Sequence, residues 1–499
     1  MIFFLHRQQC QEKHMKHVKL LPLLIAAAFA VPRAHAVELI AIGTLSGLGG
    51  DLSSATSGAL ENGVAGNLLG GLGSGLSYAG GNTFIATPDR GPNASVYNPL
   101  VDNTTSYINR FQTLNLTLTA NNSGSGLAFN LTPVLSATTL MSSSTPLVYG
   151  TGALGTGGGN TLGSGVPALN SAGHYYFTGR SDNFDPTKTS TSPDNGRLDP
   201  EGVRVSKDGK SVFVSDEYGP YIYQFDRATG RRINSYALPG NLAISHLSAS
   251  GDTEIAGNTS GRIANKGMEG LAISPDGKTL VGIMQANLEQ DSKGTVRIVT
   301  VDIATKATHE YAYQLTTGSG VSEIVALNDH QFIVDERDGN GLGDGSKAKV
   351  KQLFMIDLNG ATDISGLASV GAATPSVSKS LFLDLVPILK ANGYTAEQIP
   401  AKIEGLAFGA DVVKNGVLTH TLYVANDNDF SPATSGDNKF FVFGVTDADL
   451  AKVGATYVPQ NIAAVPEPAS YAMFLAGACL IGLSARGRRS EPFKAKSEL

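Results

Sequence analysis

Between residues 37 and 455 the apolar positions recur with a period of two rather than 3.6. Clear runs are Ser211-Val212-Phe213-Val214, Tyr221-Ile222-Tyr223-Gln224-Phe225, Thr295 to Val301, Gln352-Leu353-Phe354-Met355-Ile356 and Lys439-Phe440-Phe441-Val442-Phe443. Lys207-Asp208-Gly209-Lys210 and Pro275-Asp276-Gly277-Lys278 separate such runs and supply the positive φ of tight hairpin turns. The body is therefore all-β. Within it, a glutamate four times opens a short apolar strand: Glu201-Gly202-Val203, Glu269-Gly270-Leu271, Glu323-Ile324-Val325 and Glu404-Gly405-Leu406. The return strands end in Ser215-Asp216-Glu217, Gln285-Ala286-Asn287, Asp335-Glu336-Arg337 and Asn426-Asp427-Asn428-Asp429. In an antiparallel hairpin the start of one strand and the end of its partner share one end of the sheet, so each copy places its carboxylates on one rim.

The repeat reads as four strands. They are Glu201 to Val205, Ser211 to Ser215, Tyr221 to Phe225 and Arg232 to Leu238 in one copy, and Glu269 to Ile273, Thr279 to Met284, Thr295 to Asp302 and Thr308 to Leu315 in the next. A four-stranded meander cannot bury both its faces alone, and radial packing of such sheets gives a β-propeller. A first copy begins at Ser74-Gly75-Leu76, without the glutamate, and runs through Thr83 to Ala86 into Thr87-Pro88-Asp89-Arg90-Gly91, with outer strands at Arg110 to Leu118 and Leu127 to Leu135. The spacing predicts five four-stranded blades, or six if Leu367 to Leu389 hides another. The last module shows three strands, and Val37 to Leu45 could complete it and close the ring. Residues 141 to 197 and 238 to 265, rich in small polar residues, read as surface insertions. Short helices are expected in Ser380 to Asn392 and Thr446 to Val453.

The ends read as addresses. Met15-Lys16-His17-Val18-Lys19, the apolar stretch Leu20 to Val31 and Ala34-His35-Ala36 make a secretory signal in residues 1–36, to be removed by signal peptidase before Val37, with an uncleaved anchor as the alternative. Met15 competes with Met1 as the true start. At the other end residues 456–468 read as a linker containing Pro466-Glu467-Pro468, followed by an apolar segment from Ala469 to Ala485 and by Arg486, Arg488 and Arg489. Seventeen residues lie at the short limit for a bilayer span, and the arginines would stay cytoplasmic. Residues 456–489 resemble the PEP-CTERM sorting signal of Gram-negative bacteria. That resemblance implies transient membrane anchoring, an exosortase-type processing enzyme as partner, and a final place in the cell envelope or outside; an ordinary tail anchor is the alternative. Cys10 and Cys479 both lie in these ends, which excludes thiol catalysis and cysteine metal sites from the body. A net charge of -6 with no basic stripe argues against nucleic acid.

If the rims converge, Glu201, Asp216, Glu217, Glu269, Glu323, Asp335, Glu336, Glu404, Asp427 and Asp429 crowd the mouth of the central channel, with Asp89 beside them. Closely spaced carboxylates raise one another's pKa unless a cation compensates. An oxygen-rich set without cysteine suits Ca²⁺ better than Zn²⁺. Arg90 and Arg337 stand beside the acids, and guanidinium suits an anionic ester or phosphate. The competing reading is a structural ring of ion pairs, with each strand-opening glutamate bonded to backbone amides of the neighbouring blade. No Gly-x-Ser-x-Gly elbow and no His-Glu-x-x-His pair occurs. Gly150 to Gly155 fits a dinucleotide fingerprint by letter but no helix pattern follows it, and Asp338 to Asp344 starts like a calcium loop but has Leu342 and Lys349 at ligand positions.

Asp199-Pro200-Glu201-Gly202-Val203, Ser215-Asp216-Glu217-Tyr218-Gly219, Asp89-Arg90-Gly91 and Ile403-Glu404-Gly405-Leu406-Ala407 together resemble the phytase-like domain family known for "esterase-like activity of phytase", over roughly residues 70 to 445. The resemblance implies a secreted propeller with phosphate-ester or ester hydrolysis, and places Asp89, Arg90, Glu201, Asp216, Glu217, Glu269 and Glu404 on the family's motif positions. The expected function is metal-dependent ester hydrolysis. Glu201, Asp216 and Glu217 are the catalytic candidates, Arg90 and Arg337 the substrate ligands, and Ca²⁺ the ion held by Asp89 and the carboxylates of the four copies. The alternative is a non-catalytic extracellular module that binds polysaccharide or protein.

Overall fold

In a computed structural model the described residues are 37–94, 104–150, 165–316 and 318–463; the secretory signal and the C-terminal membrane segment lie outside them. The alternating runs form five antiparallel blades. Blade one contains Gly75–Tyr78, Thr83–Thr87, Arg110–Ala120 and Phe129–Leu140, and blade two Pro200–Val205, Ser211–Asp216, Tyr221–Asp226 and Arg232–Ala237. Blade three contains Met268–Ile273, Thr279–Met284, Thr295–Asp302 and Thr308–Gln314, and blade four Gly320–Ala326, Gln331–Arg337, Lys351–Asp357 and Ser378–Asp384. Blade five is built from Ile403–Phe408, Val417–Asn426 and Asn438–Val445, and Glu38–Leu45 joins it as the outermost strand with Ile42 opposite Phe441. The ring is thus closed by the chain's first described strand. Residues 367–389 hold no sixth blade: they supply the outer strand of blade four and the start of the helix Leu385–Ala391, capped by Asp384.

The first strands of the five blades neighbour one another in a closed circle around the axis. Blade faces pack on the next blade through apolar side chains. Val203, Val205, Val212 and Val214 meet Ile85 and Phe111 of blade one, while Leu271 and Ile283 meet Ile324, Phe332 and Val334 of blade four. Because the inner strands crowd at the axis, the residue after Glu201, Glu269 and Glu404 must be small. A Cβ on Gly202 would sit 2.5 Å from Leu271, one on Gly270 2.8 Å from the Glu323 backbone, and one on Gly405 2.9 Å from Leu76. The Glu-Gly pair is therefore a packing requirement as well as a chemical motif.

The insertions are not only surface loops. Phe177, Arg180 and Asn183 from the first are buried, and the second folds a short helix, Gly251–Gly257, with Ser250 as its cap. The segment expected as a free linker is also bound up to residue 463. Thr456 and Val458 hydrogen-bond to Gln331 and Leu327 of blade four, Gln460 donates to Val205 O, and Ala463 N donates to Lys207 O of blade two. No helix among the described residues is long and apolar enough to cross a membrane.

Candidate functional site at the channel mouth

The inner strand of every motif blade carries a β-bulge; Glu201, Glu269 and Glu404 sit in it, whereas in blade four the bulged residue is Ser322 and Glu323 stays in register opposite Asp335. The pairing register slips between Pro200 and Val203, between Met268 and Gly270, between Val321 and Glu323, and between Ile403 and Leu406. Blade one, which lacks the glutamate, pairs without interruption from Gly75 to Tyr78. A bulge frees a residue from the ladder and re-aims its side chain, so these strands turn carboxylates toward the axis that a regular strand would point into a blade interface.

Two groups of three carboxylates have oxygens within 4.8 Å of one another, Asp199 with Glu201 and Glu217, and Asp89 with Asp427 and Asp429. Arg90 joins them. Its backbone N–H and Nη1 both donate to Asp199, at 3.0 and 2.9 Å, and its Nε is buried with no partner. Lys402 spans the second group, 2.7 Å from Asp427 and 2.5 Å from Asp429. Across the mouth Arg337 pairs with Glu404 at 2.5 Å and lies 4.0 Å from Glu269. Nine carboxylates, Asp89, Asp199, Glu201, Glu217, Glu269, Asp335, Glu404, Asp427 and Asp429, thus gather around Arg90, Arg337 and Lys402, with Arg262 acting on Glu217 and Lys351 on Asp335 from the margin.

The excess of acid shows in the proton affinities. Burial, then Glu269 and Asp199, holds Glu201 well above its ordinary range, and burial, then Glu217 and Glu404, does the same for Glu269. Burial, reinforced by Asp199, pushes Glu217 up to about 8. Asp335 rises to about 8 and Glu404 to about 7, both chiefly through burial. Three buried oxygens in this set, Glu269 Oε2 and both of Asp335, have no hydrogen-bond partner. Left ionised they would be costly, and they fit either retained protons or a hard cation.

The expected residues do not all meet. Glu323 accepts from the backbone N–H of Leu271 and of Ile324, both at 2.9 Å, and lies 3.1 Å from Arg204, whose guanidinium also donates to Leu76 O and Ile324 O. Glu323 and Arg204 therefore form a floor that joins blades one, two, three and four below the mouth, which is the backbone-bonded alternative for this one glutamate. Glu336 turns outward to Tyr313 Oη, Lys379 and the N–H groups of Thr316 and Gly318. Asp216 accepts from Asp199 N and Tyr218 N, so it shapes the turn that presents Asp199 and Glu217. The calcium-like loop is closed internally by Lys351, whose Nζ is 2.7 Å from Asp338 O and 2.9 Å from Asp338 Oδ1.

Two members were missed from sequence, Asp199 and Lys402. Each lies two residues before its motif glutamate, just ahead of the strand, and that shared spacing was the signal available.

Residues 464–489 match the PEP-CTERM protein-sorting motif. A protein of Arthroderma benhamiae described as "Uncharacterized secreted protein" is 34% identical over 179 residues, 29% of this chain and 35% of that protein, so the chain spans about a third of that relative. Among solved structures, hydrazine synthase of Kuenenia stuttgartiensis is 11% identical with a TM-score of 0.29 over 72% of this chain and 78% of that one. A putative 6-phosphogluconolactonase of Bacteroides uniformis is 14% identical with a TM-score of 0.28 over 80% and 96%. Both likenesses are too low to bear on function. Residues 67–430 match the profile described as "Phytase-like: Esterase-like activity of phytase", well over half of the chain, and the chain belongs to that phytase-like family.

Proposed function

We propose that the channel mouth binds a divalent cation, Ca²⁺ by its all-oxygen donor set, and hydrolyses a phosphate or other anionic ester on an exported protein. The observation that carries this reading is the pair of carboxylate groups flanking Arg90, together with the unpartnered buried oxygens of Glu269 and Asp335. Asp199, Glu201 and Glu217 would hold the ion, with Glu269 at their edge. When bound, Ca²⁺ supplies charge neutralisation and polarisation of the ester. Arg90, fixed by Asp199 and Asn265, keeps its Nε for an anionic oxygen, and Arg337 is positioned opposite by Glu404. Glu217, raised to about 8 by burial and Asp199 while the ion is absent, would give up its proton on binding it, which ties occupancy of the site to pH. The floor of Arg204 and Glu323 closes the cup from below, so substrate enters from one side only. Export is supported by the sorting motif and by the secreted character of the fungal relative.

The test is hydrolysis of phytate, p-nitrophenyl phosphate and short acyl esters by purified protein, with Ca²⁺ and with chelator. Turnover that depends on Ca²⁺ and is lost in Glu201→Gln supports the reading. A Ca²⁺-dependent rise in melting temperature without turnover on any of these substrates would instead favour a binding module.

A further inference from the structure

The inner strands run from the acidic mouth to the opposite face of the propeller, where Tyr78, Arg204, Ile273, Ala326 and Phe408 of the five inner strands line one cavity with Tyr457, Val458 and Gln460. Tyr457 packs at a tilt against Phe408 and His420 with ring centroids 4.5 and 4.7 Å apart, Gln460 reaches Val205 O, and Ala463 is tied to Lys207. The sorting motif starts at residue 464, immediately beyond this strap. Only five residues, 464 to 468, separate the strap from the apolar segment that begins at Ala469. Fully extended, five residues reach ~17 Å. A membrane segment on so short a tether forces this face, and not the mouth, against the bilayer.

The same face carries an apolar projection. Beyond Phe408 blade five extends a two-stranded ribbon, Val412–Lys414 against Val417 to Thr419, closed by Asn415 and Gly416 with φ of 51° and 78°. Val413 and Leu418 are cross-strand partners and stand 67% and 56% exposed, and Val458 of the strap is 48% exposed. Lys414 lies in the ribbon itself, ion-paired with Glu38. Exposed apolar side chains on a protruding turn suit the headgroup boundary of a phospholipid bilayer.

We infer that the propeller, while its C-terminal segment is anchored, seats the face opposite the acidic mouth on the membrane through the 412–419 ribbon, so that the mouth opens away from the lipid. This rests on the reading of 469–485 as a membrane segment and is independent of whether the mouth is catalytic.

The chain contains no tryptophan, so a single introduced one reports without background. Residues 37–499 are reconstituted into vesicles of phosphatidylcholine and phosphatidylglycerol, with and without brominated acyl chains, carrying either Leu418→Trp or, at the mouth, Lys266→Trp. Leu418→Trp should shift its emission to shorter wavelength and be quenched severalfold by brominated lipid, while Lys266→Trp should show neither change. Val413→Trp reads the same ribbon if Leu418→Trp impairs folding. Quenching at Lys266→Trp equal to that at the ribbon, or an unquenched ribbon in protein that floats with the vesicles, overturns the inference. Protein that does not float overturns the anchoring on which it rests.

Discussion

Asp335 gives the sharpest test of how the mouth manages its charge. It is fully buried, neither carboxyl oxygen has a partner, and burial lifts it from 3.8 to about 8 against the opposing pull of Arg337 and Lys351. The folded protein therefore holds this proton while the unfolded chain releases it. A raised acid stabilises the fold fully below about pH 4, and that stabilisation drains away as pH climbs to about 8. Linkage sets the slope at about 1.4 kcal/mol per pH unit inside that window, so between about pH 5 and about pH 7.5 the group alone costs about 3 kcal/mol. Asp335→Asn keeps the shape of the protonated carboxyl and has nothing to titrate. Urea unfolding of metal-free wild type and variant across this range should show the variant gaining on the wild type steadily, by about 3 kcal/mol in total. Parallel stability curves would refute the assignment of a buried proton to Asp335.

Other outcomes follow from the same geometry. Since Glu201, Glu217 and Glu269 must shed protons to take a cation, the rise in melting temperature produced by Ca²⁺ should grow from pH 5.5 to pH 8 and vanish with chelator, as followed by calorimetry. Glu201→Gln should abolish Ca²⁺-dependent turnover by at least about 100-fold while circular dichroism stays unchanged. Gly202→Ala, whose new methyl would press on Leu271, should cost about 1–3 kcal/mol, whereas Gly339→Ala, with open space around it, should be near neutral in the same urea assay.

Most of the fold was legible because a propeller blade advertises itself locally. Alternation located the strands, Asp-Gly turns located the hairpins, and the three-strand shortfall of the last module pointed to Val37 to Leu45. What escaped needed long-range partners. The 141–197 insertion looks like polar loop, yet Phe177 is buried against Tyr223 and Phe225 of blade two, and no period reports that. At the mouth, sequence identified which residues recur but not where a bulge would aim them. Glu323 has the motif's position without its glycine, and its carboxylate turns to backbone amides and Arg204 instead of the rim. Glu336 is next to Asp335, and alternation along a strand sends neighbours to opposite faces. Asp199 and Lys402 precede their strands, where alternation does not reach, and only their common spacing from the motif glutamate marks them.

The pairing of Glu38–Leu45 with Asn438–Val445 also dictates a timetable. The amino-terminal strand has no sheet to join until some four hundred later residues have emerged, so a nascent chain carries it idle and the circle cannot lock during synthesis. Contacts of such long sequence separation form slowly. A polypeptide that stays open until its far end arrives is well matched to threading through a translocation pore before it folds on the other side.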